Sequence, residues 1–185
     1  MKTGNGKIRC KWAEGHELLA AYHDNEWGVP VHDDRQLFEM LNLEGAQAGL
    51  NWLTILKKRD GYRKAFRNFD AKKLARFTAA QQTALLLDEG IVRNRLKIHA
   101  VIENAKVFLD VQREFGTFDD YIWGLIGGKP VPKKDAAAAS EQMSKSLKKR
   151  GFRFVGATIC YAFMQAVGML DDHSKDCFRS RHILR

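Results

Sequence analysis

Two cysteines and two histidines stand near opposite ends of this chain, Cys10 with His23 and His173 with Cys177. Thiolate and imidazole are ligands of tetrahedral Zn2+, and C-x12-H together with H-x3-C makes a full Cys2His2 set. Four protein ligands leave such a metal no open position, so its role is expected to be structural, clipping the two chain ends together. A rival arrangement uses His23 with Glu26 in an open hydrolytic metal site. The i, i+3 spacing permits it, although no second histidine or carboxylate cluster completes it.

Glu44 is the next residue that asks for an explanation. It follows Leu37, Met40 and Leu41 at helical spacing, so its carboxylate shares their apolar face. A carboxylate there costs free energy unless something pairs with it. A salt bridge would answer, as would a helix end tilted into solvent at Gly45. The sharper alternative is a pocket carboxylate that meets a cationic or hydrogen-bond-donating ligand. Trp12, Tyr22, Trp27 and Trp52 fall in the same N-terminal stretch. Any one of them alone reads as core. Rings clustered beside an anion make a cage for a flat cation, and an everted, methylated base is such a cation.

A third feature is the run from Asp88 to Ile98, with Gly90 between two helical patterns and Arg93, Arg95 and Lys97 after it. A glycine turn that presents backbone N–H groups at a helix start, with cations nearby, can seat a DNA phosphate. An ordinary αα-hairpin with a solvated basic face has the same pattern.

The elements that must position these residues are helical. Asp33 or Asp34 caps a helix running through Glu44, and Asp70 caps a short one over Leu74 and Phe77. Thr78 starts another that ends at Gly90. The spacing from Ile98 to Gln112 gives a long helix closed by Gly116, and Phe118 to Leu125 a short one stopped by Gly127-Gly128. Lys129 to Ala139 reads as a loop or lobe boundary, Ser140 to Arg150 as a helix, and Val155 to Met169 as a central helix buried all round. No stretch reads as a strand, so the fold class is all-α. At 185 residues and 45% hydrophobic, residues 1–185 fit a single domain, or two helical lobes sharing one core.

Lys and Arg outnumber Asp and Glu by 31 to 22, a net charge of +9 that favours a polyanionic partner, nucleic acid ahead of membrane. No run is apolar enough to span a bilayer, and Met1 to Arg9 lacks a secretory apolar segment. Three cysteines do not suggest a disulfide framework. Cys160, in an apolar run, reads as an inert buried thiol, whereas Cys10 and Cys177 sit in polar segments where burial does not explain them. A reducing cytoplasm suits free thiolate ligands.

Taken together, these features resemble the 3-methyladenine DNA glycosylase I family over nearly the full chain. The matching blocks are Arg9-Cys10-x-Trp12, Tyr22-His23-Asp24-Asn25-Glu26-Trp27-Gly28, Leu43-Glu44-Gly45, Gln47-Ala48-Gly49-Leu50 and Leu56-Lys57-Lys58-Arg59. They continue with Lys148-Lys149-Arg150-Gly151-Phe152, Phe154-Val155-Gly156, Thr158-Ile159-Cys160-Tyr161 and His173-x3-Cys177. The resemblance implies an all-α fold of the helix-hairpin-helix superfamily whose termini are joined by a structural zinc on Cys10, His23, His173 and Cys177. It implies a DNA repair glycosylase, acting as a monomer on double-stranded DNA, that everts and excises N3-methyladenine by hydrolysing the N-glycosidic bond. Glu44 would read the damaged base within the aromatic pocket of Trp12, Tyr22, Trp27 and Trp52, and Gly49 and Leu50 would plug the gap left in the duplex. The family usually has a tyrosine three residues before the Tyr22 position, where this chain has Leu19, and the tail beyond Cys177 is unlike the family's.

Overall fold

Polar caps set most of the helix starts. In the computed structural model, which describes residues 6–180, the His16 ring accepts from the Leu18 amide to open α1 (Glu17–Asn25). Asp33 opens α2 (Asp34–Gln47) and Asn51 opens α3 (Trp52–Ala65) by the same device. Asp70 caps α4 (Ala71–Leu74), and Thr78 with Gln81 forms a reciprocal capping box on α5 (Ala79–Ala84). Asn94 and Thr117 cap α6 (Arg95–Phe115) and α7 (Phe118–Gly124). The last two helices, α8 (Ala136–Arg150) and α9 (Ala157–Ala166), begin without a side-chain cap. The all-α expectation agrees with this order. Pairing of the β type among the described residues amounts to an isolated bridge between Val131 and Leu170.

Three boundaries differ from the sequence expectation. Helix α8 begins at Ala136 rather than Ser140, because four consecutive alanines are strong helix formers and Ala136 is buried. The loop thereby shrinks, and the Val131 amide is held by the Met169 carbonyl at 2.9 Å. Helix α5 does not reach Gly90: it tightens into a 3-10 turn at Leu85–Leu87 and gives way to the extended Asp88. Helix α9 is shorter than the apolar run, which enters it through Phe154 at φ 55°. Nor is it buried all round. Thr158 is exposed, and Ala162 and Gln165 are half-buried beside a cavity.

Helix α2 is the centre of the packing, buried continuously from Leu37 to Ala46. Against it lie α9, α3, α6 and α7, while α8 backs onto α9 and α4 onto α6. The buried apolar side chains form one continuous cluster. Polar ties cross it where backbone groups need partners. Asn104 donates to Asn42 Oδ1 at 2.9 Å and accepts the Arg153 amide at 2.7 Å, joining α6 to α2 and to the turn before α9. Asp34 accepts the Phe118 and Asp119 amides at the start of α7. Arg59 on α3 donates to Glu39 on α2 at 2.8 Å and to Glu26 beyond α1 at 2.6 Å. No helix among the described residues is long and apolar enough to cross a membrane.

Helix α3 also holds the Gly90 turn. The Tyr62 hydroxyl accepts the Val92 amide at 3.2 Å, and Lys58 Nζ donates to the Glu89 carbonyl at 2.5 Å. Between them Gly61 lets the turn touch the helix, since a Cβ there would stand 2.2 Å from the Gly90 carbonyl oxygen. Alanine is the better helix former by about 1 kcal/mol, yet Gly61→Ala is expected to destabilise the fold by about 1–3 kcal/mol through overpacking. Urea unfolding of the two proteins measures the sign, and a gain in stability would place the turn further from α3.

Candidate functional site

The end of α1 builds two sites from adjacent residues. Tyr22 faces a cavity and His23 faces the meeting point of the chain ends. At that meeting point Cys177 Sγ lies 3.3 Å from His23 Nε2 and 3.5 Å from His173 Nδ1, and Cys10 Sγ lies 3.6 Å from His173 Nδ1. All four ligand atoms fall within 4.8 Å of one another. A tetrahedron with ordinary Zn–S and Zn–N lengths separates neighbouring donors by about 3.3–3.8 Å, so the donor set fits that ion in chemistry and in spacing. The surroundings fit as well. His23 Nδ1 is 2.9 Å from Asp24 Oδ1, which Arg9 holds in turn, and the Ser174 and Arg179 amides point at the Cys10 and Cys177 sulfurs. Both cysteines are buried, so their polar sequence setting misstates their environment. Glu26 does not join the cluster. It pairs with Arg59 instead, which removes the open hydrolytic site as an account of this chain.

The cavity next to it, about 280 Å3, is lined by Trp12, Tyr22, Trp27, Glu44, Gln47, Trp52, Ala162 and Gln165. That volume suits a flat, base-sized ligand better than a larger cofactor, since pockets for drug-sized ligands run from about 300 Å3 upward. The rings meet at tilted and edge-on angles. Tyr22 and Trp52 have centroids 5.3 Å apart, and Trp12 and Trp27 are 5.0 Å apart. Trp27 also touches the His173 ring edge-on at 4.6 Å, and Trp12 the His23 ring at 5.4 Å. The wall of the cavity and the Cys/His cluster are therefore one packed unit. All four aromatics named from the sequence line it. Leu19 is not among the lining residues.

Glu44 lies inside α2 rather than at a frayed end, only 5% exposed, and no described residue forms a salt bridge with it. Desolvation alone raises its pKa to about 8, so at neutral pH the free pocket holds a carboxylic acid more than a carboxylate. Burial, with the Glu44 charge second, pushes the Tyr22 hydroxyl well above its usual range. The Tyr22 hydroxyl and Trp52 Nε1 are buried with no hydrogen-bond partner among the described residues. Unsatisfied donors of this kind cost about 1–3 kcal/mol each unless a ligand meets them.

The remaining expected site residues divide. Gly49, at φ 75°, and Leu50 form a tight turn between α2 and α3, in which the Leu50 amide donates to the Gln47 carbonyl at 2.7 Å and the Leu50 side chain is 41% exposed. Arg93 and Arg95 are exposed. The Gly90 amide is taken by Asp88 Oδ1 at 2.7 Å, so it is not free for a phosphate. Lys97 is engaged as well: its Nζ donates to the Ala46 and Ala48 carbonyls at 2.8 and 2.6 Å, capping the end of α2. Sequence reasoning missed Gln165 and Ala162 as lining residues. The signal available was a lone glutamine late in an otherwise apolar helix.

A family model described as methyladenine glycosylase matches residues 12–180. The DNA-3-methyladenine glycosylase of Haemophilus influenzae is 45% identical over 91% of this chain and 96% of its own length. The DNA-3-methyladenine glycosylase 1 of Escherichia coli is 46% identical over 91% and 95%. A solved 3-methyladenine DNA glycosylase I in complex with 3-methyladenine superposes with a TM-score of 0.86 at 35% identity, covering 92% of this chain and 96% of that one.

The Glu44 shift has a measurable sign. Its folded pKa lies above the ordinary 4.5, so the folded chain keeps a proton that the unfolded chain has released. Its contribution to stability is complete below 4.5 and is lost as pH rises through about 8. Across that window the wild type is expected to lose stability relative to Glu44→Gln by up to about 1.4 kcal/mol per pH unit. Unfolding both proteins along a pH series checks this, and parallel profiles would mean Glu44 is already ionised in the folded state.

Proposed function

The chain belongs to the methyladenine glycosylase family, and from that footing we infer that it is a DNA repair enzyme that excises N3-methyladenine by hydrolysing the N-glycosidic bond. The observation that carries the reading is the cavity itself: aromatic walls set at tilted and edge-on angles, one desolvated carboxyl group, and two buried donors without a partner among the described residues. Alkylation at N3 puts a positive charge on adenine, and such a base enters an aromatic cage by cation–π attraction. Glu44, protonated in the free pocket, ionises as the cation arrives because the opposite charge reverses the cost of desolvation. Trp52 and Tyr22 flank the base, and their buried polar atoms are the donors that meet it.

In the hydrolysis, water adds at C1′ as the bond from C1′ to the base nitrogen breaks. The bonding electron pair neutralises the cationic base, and the water proton leaves to solvent. The positive charge is therefore lost from the base as the bond breaks. An anionic Glu44 holds the substrate more tightly than the transition state, so its work is capture and selectivity rather than acceleration. No aspartate is assigned opposite the sugar, in keeping with a leaving group already activated by its charge.

The DNA surface follows from exposure and charge. We assign Leu50, on the Gly49 turn beside the pocket, to the gap left by the everted nucleotide, and Arg93 and Arg95 to backbone phosphates of double-stranded DNA. The turn before α6 is then the hairpin of a helix-hairpin-helix unit, with Lys97 bracing it from within. One structural Zn2+ held by Cys10, His23, His173 and Cys177 would fix the chain ends and, with four protein ligands, take no part in water activation. Residues 1–185 would then act as a single monomeric domain in the cytoplasm.

Two results are expected. The purified protein should release free 3-methyladenine from methylated duplex DNA. Glu44→Gln should bind the free base about tenfold to a hundredfold more weakly, a mismatch of about 1–3 kcal/mol, while retaining residual excision. Intact base binding with no excision would make Glu44 a true catalyst. Separately, metal analysis should find one zinc per chain, and Cys177→Ala should lose it and melt at lower temperature. A metal-free, fully folded wild type would remove the zinc assignment.

A further inference from the structure

Gln165 stands near the end of α9 with its side chain on the cavity wall. Its backbone carbonyl takes the Gly28 amide at 3.1 Å, which registers it against the segment that carries Trp27. Its side-chain Nε2 donates to Asp172 Oδ2 at 2.7 Å, and Asp172 is paired with Lys133. A carboxylate paired with an ammonium only accepts, so turning the amide over would set the Gln165 carbonyl oxygen against a carboxylate oxygen. The lock leaves Oε1 as the unengaged end of the amide, and no described residue donates to it. The same cavity holds the unpartnered Tyr22 hydroxyl and Trp52 Nε1. It therefore offers an absent ligand a fixed acceptor as well as donors.

We infer that Gln165 is a base-reading residue: its fixed carbonyl oxygen accepts from the exocyclic amino group of an adenine-type base and repels the carbonyl oxygen that guanine carries at the equivalent position. The two purines differ at that edge by donor against acceptor, a difference that a locked acceptor can read and a freely turning amide cannot. Asp172 is the positioning residue that keeps Gln165 from adapting. The inference rests on the reading of the cavity as a base pocket.

The test uses duplex DNA containing 3-methyladenine and methylguanines, with wild type, the near-isosteric Gln165→Met and Asp172→Asn. In Gln165→Met, release of 3-methyladenine should fall about tenfold while methylguanine release is unchanged or rises. Asp172→Asn should narrow the ratio in the same direction by less, because the amide gains freedom to turn. Free-base binding supplies a second readout. Wild type should prefer 3-methyladenine to 3-methylhypoxanthine, in which oxygen replaces the amino group, by about tenfold, and Gln165→Met should lose that preference. Melting temperature and metal content of each variant show whether the fold is kept, and if Gln165→Met does not fold, Asp172→Asn decides the ratio. Equal losses for all bases, or an unchanged ratio in folded variants, would overturn the role of Gln165. A wild type that releases no 3-methyladenine would instead overturn the proposed function, leaving the two failures distinguishable.

Discussion

His23 has no exposed surface, and its ring touches almost everything on which the site depends. One nitrogen is 3.3 Å from Cys177 Sγ, the other 2.9 Å from Asp24, and its faces meet Trp12, Trp27, His173 and Phe178. The chain segments around Cys10 and Cys177 converge on this ring, and they are also tied to each other directly, the Phe178 amide donating to the Ile8 carbonyl at 2.9 Å. Because Trp12 follows Cys10 by two residues and Tyr22 precedes His23 by one, closing the cluster also closes the pocket wall. The four side chains could hold a metal ion, and whatever orders them orders the pocket wall as well.

The pocket adds a second constraint of opposite character. Helix α2 carries a buried carboxyl group to the cavity wall, where no described residue forms a salt bridge with it. That arrangement costs stability in the free protein, as do the unpartnered Tyr22 and Trp52 groups. Such costs are tolerated where a ligand relieves them, and the relief goes selectively to a ligand with a positive charge and acceptors in matching places. The rigid α2, α9 and α3 surroundings keep the site from collapsing over these groups.

Charged side chains also brace the interior. Arg59 joins Glu26 and Glu39, and Lys97 closes the carbonyl end of α2 while steadying the turn that carries Leu50. These are two cations and two anions, so the +9 excess of the chain is left to its other residues. The Gly90 turn, the pocket helix and the Leu50 turn are braced as one body through Lys58, Gly61, Tyr62 and Lys97.

Helical periodicity and capping residues alone were enough to read the all-α class, the starts of α2, α4, α5 and α7, and the Gly116 stop, because these depend on local backbone chemistry. The four Cys/His residues, Glu44 and the four aromatics were also legible, Glu44 because a carboxylate stands out in an apolar pattern and the others through their residue types and the blocks that resemble the family. What stayed hidden depended on where separate segments meet. Lys97 looked like a phosphate ligand because sequence shows a charge but not the carbonyls of Ala46 and Ala48 that it would find. Gln165 vanished into an apolar run, because the side of α9 that faces a cavity is set by how α2 and α8 pack on it rather than by α9 itself. The protonation of Glu44 had the same origin. A carboxyl group's pKa is fixed by the dielectric around it and by the partners it lacks, and only the packed tertiary structure decides either.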